Sequence, residues 1–235
     1  MSVPRNRTAP DALALAGAPV VTELPPPSAR PSTELAIAHG GGARVERLRA
    51  LRTELLLRQR SDDNRAIAVV GASPGEGRSR LAAELAIAFA QSGAPTLLVD
   101  ADLRRGRQAQ LFEAEPGEGL ADALAAGGSA RLQGVHGVPN LALVTAGALP
   151  AQPLELLSGA RLAKLLDAWR RQFHHVVLDT PPARDCADGL AIASLCGAAL
   201  VVSRVGRTRV ADLRELLRGL SLTPARVLGC ALNRF

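Results

Sequence analysis

Residues 66–89 read as a strand, a glycine-rich turn and a helix in unbroken succession, and this triplet constrains the fold more than any other stretch. Ala66-Ile-Ala-Val-Val70 is a short apolar run of the kind that forms a parallel strand buried on both faces. Leu81, Leu85, Ala88 and Phe89 recur at helical spacing. Between them lies Ala72-Ser-Pro-Gly-Glu-Gly-Arg-Ser79. A phosphate-binding Walker A loop asks for Gly, four residues, Gly, Lys, then Ser or Thr. Ala72 takes the first position, Gly77 the sixth and Ser79 the last, while Arg78 stands where Lys is expected. Gly75 and Gly77 let the backbone approach a ligand without a Cβ in the way. Backbone N–H groups then converge on phosphates at the positive end of the helix. Ser73, Pro74, Gly75, Glu76, Gly77, Arg78, Ser79 and Arg80 are the candidate nucleotide-binding residues. The alternative is a glycine-rich turn that holds nothing.

Two further apolar runs end in carboxylates. Thr96-Leu-Leu-Val99 leads into Asp100-Ala-Asp102-Leu-Arg104, and Val176-Val-Leu178 leads into Asp179-Thr-Pro-Pro182. Ligands of open α/β sheets bind outside the carboxyl ends of the strands, so these acids are expected to share one crevice with the loop. A Mg2+ ion takes oxygen ligands and bridges substrate phosphates, which makes Ser79, Asp100 and Asp179 the candidate metal residues. Asp100 and Asp102 stand two apart, and on a continuing strand both would point the same way. One could contact the metal and the other act as a base on an incoming hydroxyl. The alternative is that the acids cap the helices that follow.

Strands and helices alternate along the rest, which predicts an α/β fold with a mostly parallel sheet flanked by helices. Helices are expected at 44–58, at 161–173 and around Val210, Leu213, Leu217 and Leu220; strands at 141–144, 198–202 and 227–235. Residues 117–150 are rich in Gly, Ala and Pro and give no clear period. The Pro- and Ala-rich residues 1–42 read as a flexible, disordered arm, and 43–235 as one nucleotide-binding domain. No run of 18 apolar residues predicts a membrane span, and Pro10, Asp11 and Pro19 interrupt any leader-like stretch. Cys186, Cys196 and Cys230 are odd in number and unpatterned, so they read as core or near-core thiols. His174 and His175 would point to opposite faces of a strand, which argues against a paired metal site. The net charge of +6 is compatible with nucleic acid, but no groove-reading motif accompanies it, and no nucleic-acid partner is expected.

The chain resembles the bacterial tyrosine kinases (BY-kinases) of polysaccharide export. Leu97-Leu-Val-Asp100-Ala-Asp102-Leu-Arg104 matches their Walker A′ motif, and Val176 to Pro182 matches their Walker B. Glu46, Arg49 and Arg52 match a Glu-x-x-Arg-x-x-Arg helix, and Val227 to Phe235 looks like the last strand. The likeness covers roughly residues 34–235 and is similar in detail to a subgroup that works beside chain-length-determinant membrane proteins. It implies a P-loop NTPase fold, ATP and Mg2+ as cofactors, and Asp100, Asp102 and Arg78 as catalytic residues. It also implies a homo-oligomer contact through Glu46, Arg49 and Arg52, for which a solvated helix face with ordinary pairing is the alternative. The implied partner is an inner-membrane polysaccharide co-polymerase, with this chain cytoplasmic and held at the membrane only through it. Asp188 resembles a further acid of the family.

Two departures stand out. Arg is a planar fork where Lys is a point charge, so Arg78 predicts an altered and weaker or slower phosphate grip. Lys164 is the only lysine among 28 basic residues, so a general preference for Arg also accounts for Arg78. The sequence holds no Tyr and ends right after the last expected strand, without the tyrosine-rich tail typical of the family. Any tyrosine phosphorylation is therefore expected on another protein; otherwise phosphate could go to Ser or Thr, or ATP could act only as a conformational ligand. The alternatives are a catalytically weak or inactive ATP-binding adaptor of a co-polymerase, and a MinD/ParA-type ATPase. That last group uses an early signature Lys where this chain has Ser73 before Pro74.

Overall fold

A computed structural model describes residues 24–58 and 65–234. The expectation for residues 1–23 lies outside them. The chain runs β1 (Pro27–Ala29), α1 (Ala36–His39), α2 (Ala43–Arg58), β2 (Ala66–Gly71) and α3 (Arg78–Gln91). It continues through β3 (Thr96–Asp100), α4 (Gln108–Leu111), α5 (Leu120–Ala126), β4 (Gln133–Val135), β5 (Leu141–Val144) and α6 (Pro153–Leu157). It closes with α7 (Ala160–Gln172), β6 (His175–Asp179), α8 (Asp188–Cys196), β7 (Ala198–Arg204), α9 (Val210–Ser221) and β8 (Arg226–Asn233).

Eight strands form one sheet in the order β1-β4-β5-β3-β6-β2-β7-β8. Every pairing is parallel except β4 with β5. The central strands read as unbroken apolar runs because helices cover both faces. All six residues of β2 are buried. One face packs on α1, α2 and α3, the other on α5 to α9, giving two apolar layers separated by the sheet. Among the described residues no helix is long and apolar enough to cross a membrane.

Residues 24–42 depart from the expected arm. β1 pairs with β4, and Arg30 N–H donates to Phe112 O at 2.6 Å. Leu35 and Ile37 are buried against the α3 side of the core. The short strand has no readable period and begins with Pro27, a residue tolerated at the start of an edge strand. In α9 the buried residues are Leu216 and Leu220, with Leu213 half-buried. Val210 and Leu217, which marked the helix in the sequence, are exposed. Cys196 is buried, but Cys230 is exposed because β8 is an edge strand. The β6 strand starts at His175, whose ring stacks on Phe89. Burial lowers the His175 pKa to about 4, with His174 and Arg65 adding to the effect.

Candidate active site

The order β3-β6-β2 brings three strand ends side by side. The phosphate loop leaves β2, Asp179 ends β6 and Asp100 ends β3, with Asp100 directly in register with Asp179. Gly75 and Gly77 have φ of 77° and 89°, the left-handed region that a turn this tight needs and that glycine adopts freely. Gly77 is also the N-cap of α3, so the helix begins at Arg78 with its N–H groups facing the loop.

Arg78 is nearly buried. Its Nε donates to Thr180 O at 3.1 Å and its Nη1 to Ser73 O at 3.0 Å. The guanidinium thus joins the phosphate loop to the segment after Asp179. Glu76 is fully buried, with Oε1 accepting from Thr208 Oγ1 at 2.6 Å and Oε2 lying 3.9 Å from Arg78 Nη1. Arg80 pairs with Glu84 one turn along α3 at 3.5 Å. The loop is braced from outside as well. Arg204 Nη1 donates to Gly75 O, Arg207 Nε to Pro74 O, and Asn233 Nδ2 to Glu76 O, at 2.7–3.0 Å.

The carboxylates are crowded and dry. Burial pushes the Asp179 pKa up to about 6, against opposing hydrogen bonds from Gln108 and Ser79 and the charge of Arg78. Asp179 Oδ1 is buried with no hydrogen-bond partner. Burial, then the neighbouring Asp179, holds Asp100 well above the usual carboxylate range. Two acids side by side, one with an unsatisfied oxygen, suit a hard divalent cation taking the place of the proton. The donor set Ser79, Asp100 and Asp179 therefore fits Mg2+. Among the described residues, no cluster of three or more His, Cys, Asp or Glu forms a metal site by itself. That is in keeping with an ion held partly by substrate phosphates.

Asp102 differs from the expected arrangement. The strand stops at Asp100, so the alternation of a continuing strand does not apply. Asp102 Oδ1 accepts from the N–H groups of Arg104 at 3.1 Å and Arg105 at 2.9 Å, which fixes its carboxylate in a turn. It lines a cavity of about 330 Å3 with Gly75, Gly77, Arg78, Ser79 and Arg80. Asp100 instead faces a second cavity of about 530 Å3 beside Gly106 and Ala146, and Arg105 borders both. A cavity of about 550 Å3 between α2 and β8 holds none of the three carboxylates.

Asp188, at the start of α8, is fully buried in a bidentate pair with Arg104, at 2.7 and 3.0 Å. The pair ties the loop after β3 to the segment after β6. On α2, Glu46 and Arg49 form an exposed pair at 2.6 Å. Arg52 turns inward and donates to Ala88 O at 3.0 Å, so it braces α2 on α3. Sequence reasoning missed Gln108, Thr208 and Asn233. Gln108 opens α4 and Thr208 lies in the turn after β7, both outside any motif, while Asn233 ends β8 inside the segment matched only as the last strand.

No family model matches the chain. It is 34% identical over 202 residues to the tyrosine-protein kinase ptk of Acinetobacter johnsonii, covering 85% of this chain and 27% of that protein. It is 31% identical over 176 residues to the tyrosine-protein kinase CpsD of Streptococcus agalactiae, covering 73% of this chain and 76% of that protein. The match spans only about a quarter of the length of several longer relatives. The kinase domain of the Escherichia coli tyrosine kinase ETK superposes with a TM-score of 0.82 at 29% identity, over 87% of this chain and 80% of that one. The cell division ATPase MinD of Pyrococcus furiosus superposes with a TM-score of 0.64 at 21% identity, a likeness of fold alone. With these relatives, and with the phosphate loop and strand-end acids side by side at the ends of its central strands, this chain belongs to the bacterial tyrosine kinase family.

Proposed function

We propose that the chain binds ATP·Mg2+ and transfers the γ-phosphoryl group to tyrosines of another protein, as a cytosolic regulator of exopolysaccharide polymerisation or export. The observation that carries this reading is Asp102 lining the phosphate-loop cavity, with Asp179 tied to Ser79 through Gln108 and Asp100 paired in register beside Asp179. Residues 73–80 hold the phosphates through backbone N–H groups and the Arg78 guanidinium. Ser79, Asp179 and Asp100 hold the cation, which when bound offsets charge on the β- and γ-phosphates. The hydrogen bonds that orient Asp102 fall on Oδ1, leaving Oδ2 for the phenolic proton. The phenolate oxygen forms its bond to the γ-phosphorus as the bridging bond breaks, ADP leaves, and the proton stays on Asp102.

The partner in this reading is an inner-membrane polysaccharide co-polymerase, which also holds the chain at the membrane. Glu46 and Arg49 present the face of α2 that would meet another copy. One contact favours a second reading, a weak or inactive adaptor. Arg78 already has two backbone carbonyl partners, which a phosphate would have to displace. Incubation of the protein with ATP, Mg2+ and the cytosolic segments of the partner, followed by phosphotyrosine detection, separates the two readings. Transfer supports the kinase, and ATP binding without transfer supports the adaptor.

A further inference from the structure

We propose that Gln108 is the positioning residue that sets Asp100 and Asp179 against the phosphate loop. The proposal rests on the reading of this cleft as an ATP·Mg2+ site. Gln108 opens the four-residue α4 and is fully buried. The three hydrogen bonds it donates go to three different segments. Its backbone N–H donates to Asp100 Oδ2 at 2.8 Å, and its Nε2 donates to Asp179 Oδ2 at 2.8 Å and to Ser79 O at 2.9 Å. The residue therefore joins the end of β3, the end of β6 and the first turn of α3. Both partners of Nε2 are acceptors, so the amide can face only one way round.

The choice of side chain matters. A Lys or Arg here would neutralise an acid and compete with a cation, and a Glu would add a third negative charge. A neutral amide orients both acids and leaves their charge for the ion. It occupies one oxygen of each Asp. Of the other two, Asp179 Oδ1 has no hydrogen bond and Asp100 Oδ1 receives only a long one, 3.3 Å from Asp102 N–H. Those are the oxygens open to a metal. Gln108 Oε1 is also buried without a hydrogen-bond partner, which suits a water carried by Mg2+, an ion that keeps several of its waters. Groups that orient metal ligands in this way change metal affinity by about 10–100-fold when removed.

The test is equilibrium binding of a fluorescent ADP to the full chain, in EDTA and across a Mg2+ titration. The parent protein is expected to bind more tightly with Mg2+ than in EDTA; the absence of any Mg2+ effect there overturns the nucleotide–metal reading itself, whatever Gln108 does. Gln108→Met keeps the length and removes the amide, and is expected to need about 10–100-fold more Mg2+ for half-maximal effect. Its affinity in EDTA is expected to change less than its Mg2+ midpoint. Gln108→Asn withdraws the amide by one methylene and is expected to fall between. It decides the matter if the Met variant does not fold. An unchanged Mg2+ midpoint overturns the proposal. So does equal weakening in EDTA and in Mg2+, which is what a purely structural role would give.

Discussion

Arg78 sits where the loop pattern asks for Lys, and its contacts show what the exchange does. One guanidinium reaches both Thr180 O and Ser73 O, a forked contact that a single ammonium does not reproduce. Arg78→Ala is expected to weaken ATP binding by about 10–100-fold, the worth of a charged hydrogen bond at ~1.5–3 kcal/mol, as read by calorimetry. Arg78→Lys frees the loop carbonyls and is expected to keep binding and raise phosphate release several-fold. A slower Lys variant would contradict the altered-grip account. Asp179 carries a pH signature. Its folded pKa of about 6 lies above the ordinary carboxylate value of 3.8, so the folded state holds a proton that the unfolded state has given up between those values. Stability of the nucleotide-free protein therefore falls as pH rises from about 4 to about 6, and Asp100 is shifted in the same direction. Asp179→Asn is expected to melt above the parent at pH 7, by at most about 3 kcal/mol, with the gap closing toward pH 4. An Asn variant that melts no higher at pH 7 would count against a strained, dry carboxylate. Asp100 and Asp179 could be read from sequence because each follows an apolar run that can only be a buried strand. Gln108, Thr208 and Asn233 could not, because their reach to the loop depends on which strands lie side by side.

The expected strands and helices that carry the site agree with the observed ones to within a residue or two at most boundaries. Long apolar runs and 3.6-residue periods leave little choice of element. The short ones escaped notice. β1 has three residues and α1 and α4 four each, too few for any period to show. β1 also depends on a glycine far away in sequence. A Cβ at Gly134 would collide with the backbone carbonyl of Pro25, so β1 can lie there only because position 134 is bare. Gly134→Ala is expected to lift β1 from the sheet, read as faster amide exchange at residues 28–30 with the exchange of β2 and β3 unchanged. α2 separates two roles on one helix. Glu46 and Arg49 are an exposed pair, worth at most ~1 kcal/mol within the chain, so reversing their charges is expected to spare the melting temperature while lowering the mass seen by light scattering. Arg52→Ala is expected to lower the melting temperature instead, through the lost bond to Ala88 O. An unchanged mass in the charge-reversed protein would remove Glu46 and Arg49 from any subunit contact.

For the whole molecule, the sheet order decides what the chain can do. It gathers the phosphate loop and both strand-end acids at the carboxyl ends of central strands, with bracing arginines around them. Arg78, Arg104, Arg204 and Arg207 all make contacts in or around the cleft. The family follows from this arrangement together with the relatives. The direction of the phosphoryl group does not, and it turns on a plain count, because these 235 residues hold no Tyr. In the proposed reading, the acceptor tyrosine therefore lies outside these 235 residues. Purified protein, ATP·Mg2+ and the cytosolic segments of a co-polymerase partner, probed for phosphotyrosine beside an Asp102→Asn control, address this directly. The account predicts phosphotyrosine on the partner, none on the chain itself, and loss of the signal by 10²-fold or more in the control, about the worth of a general base. A partner left unmodified, or a control as active as the parent, would contradict it.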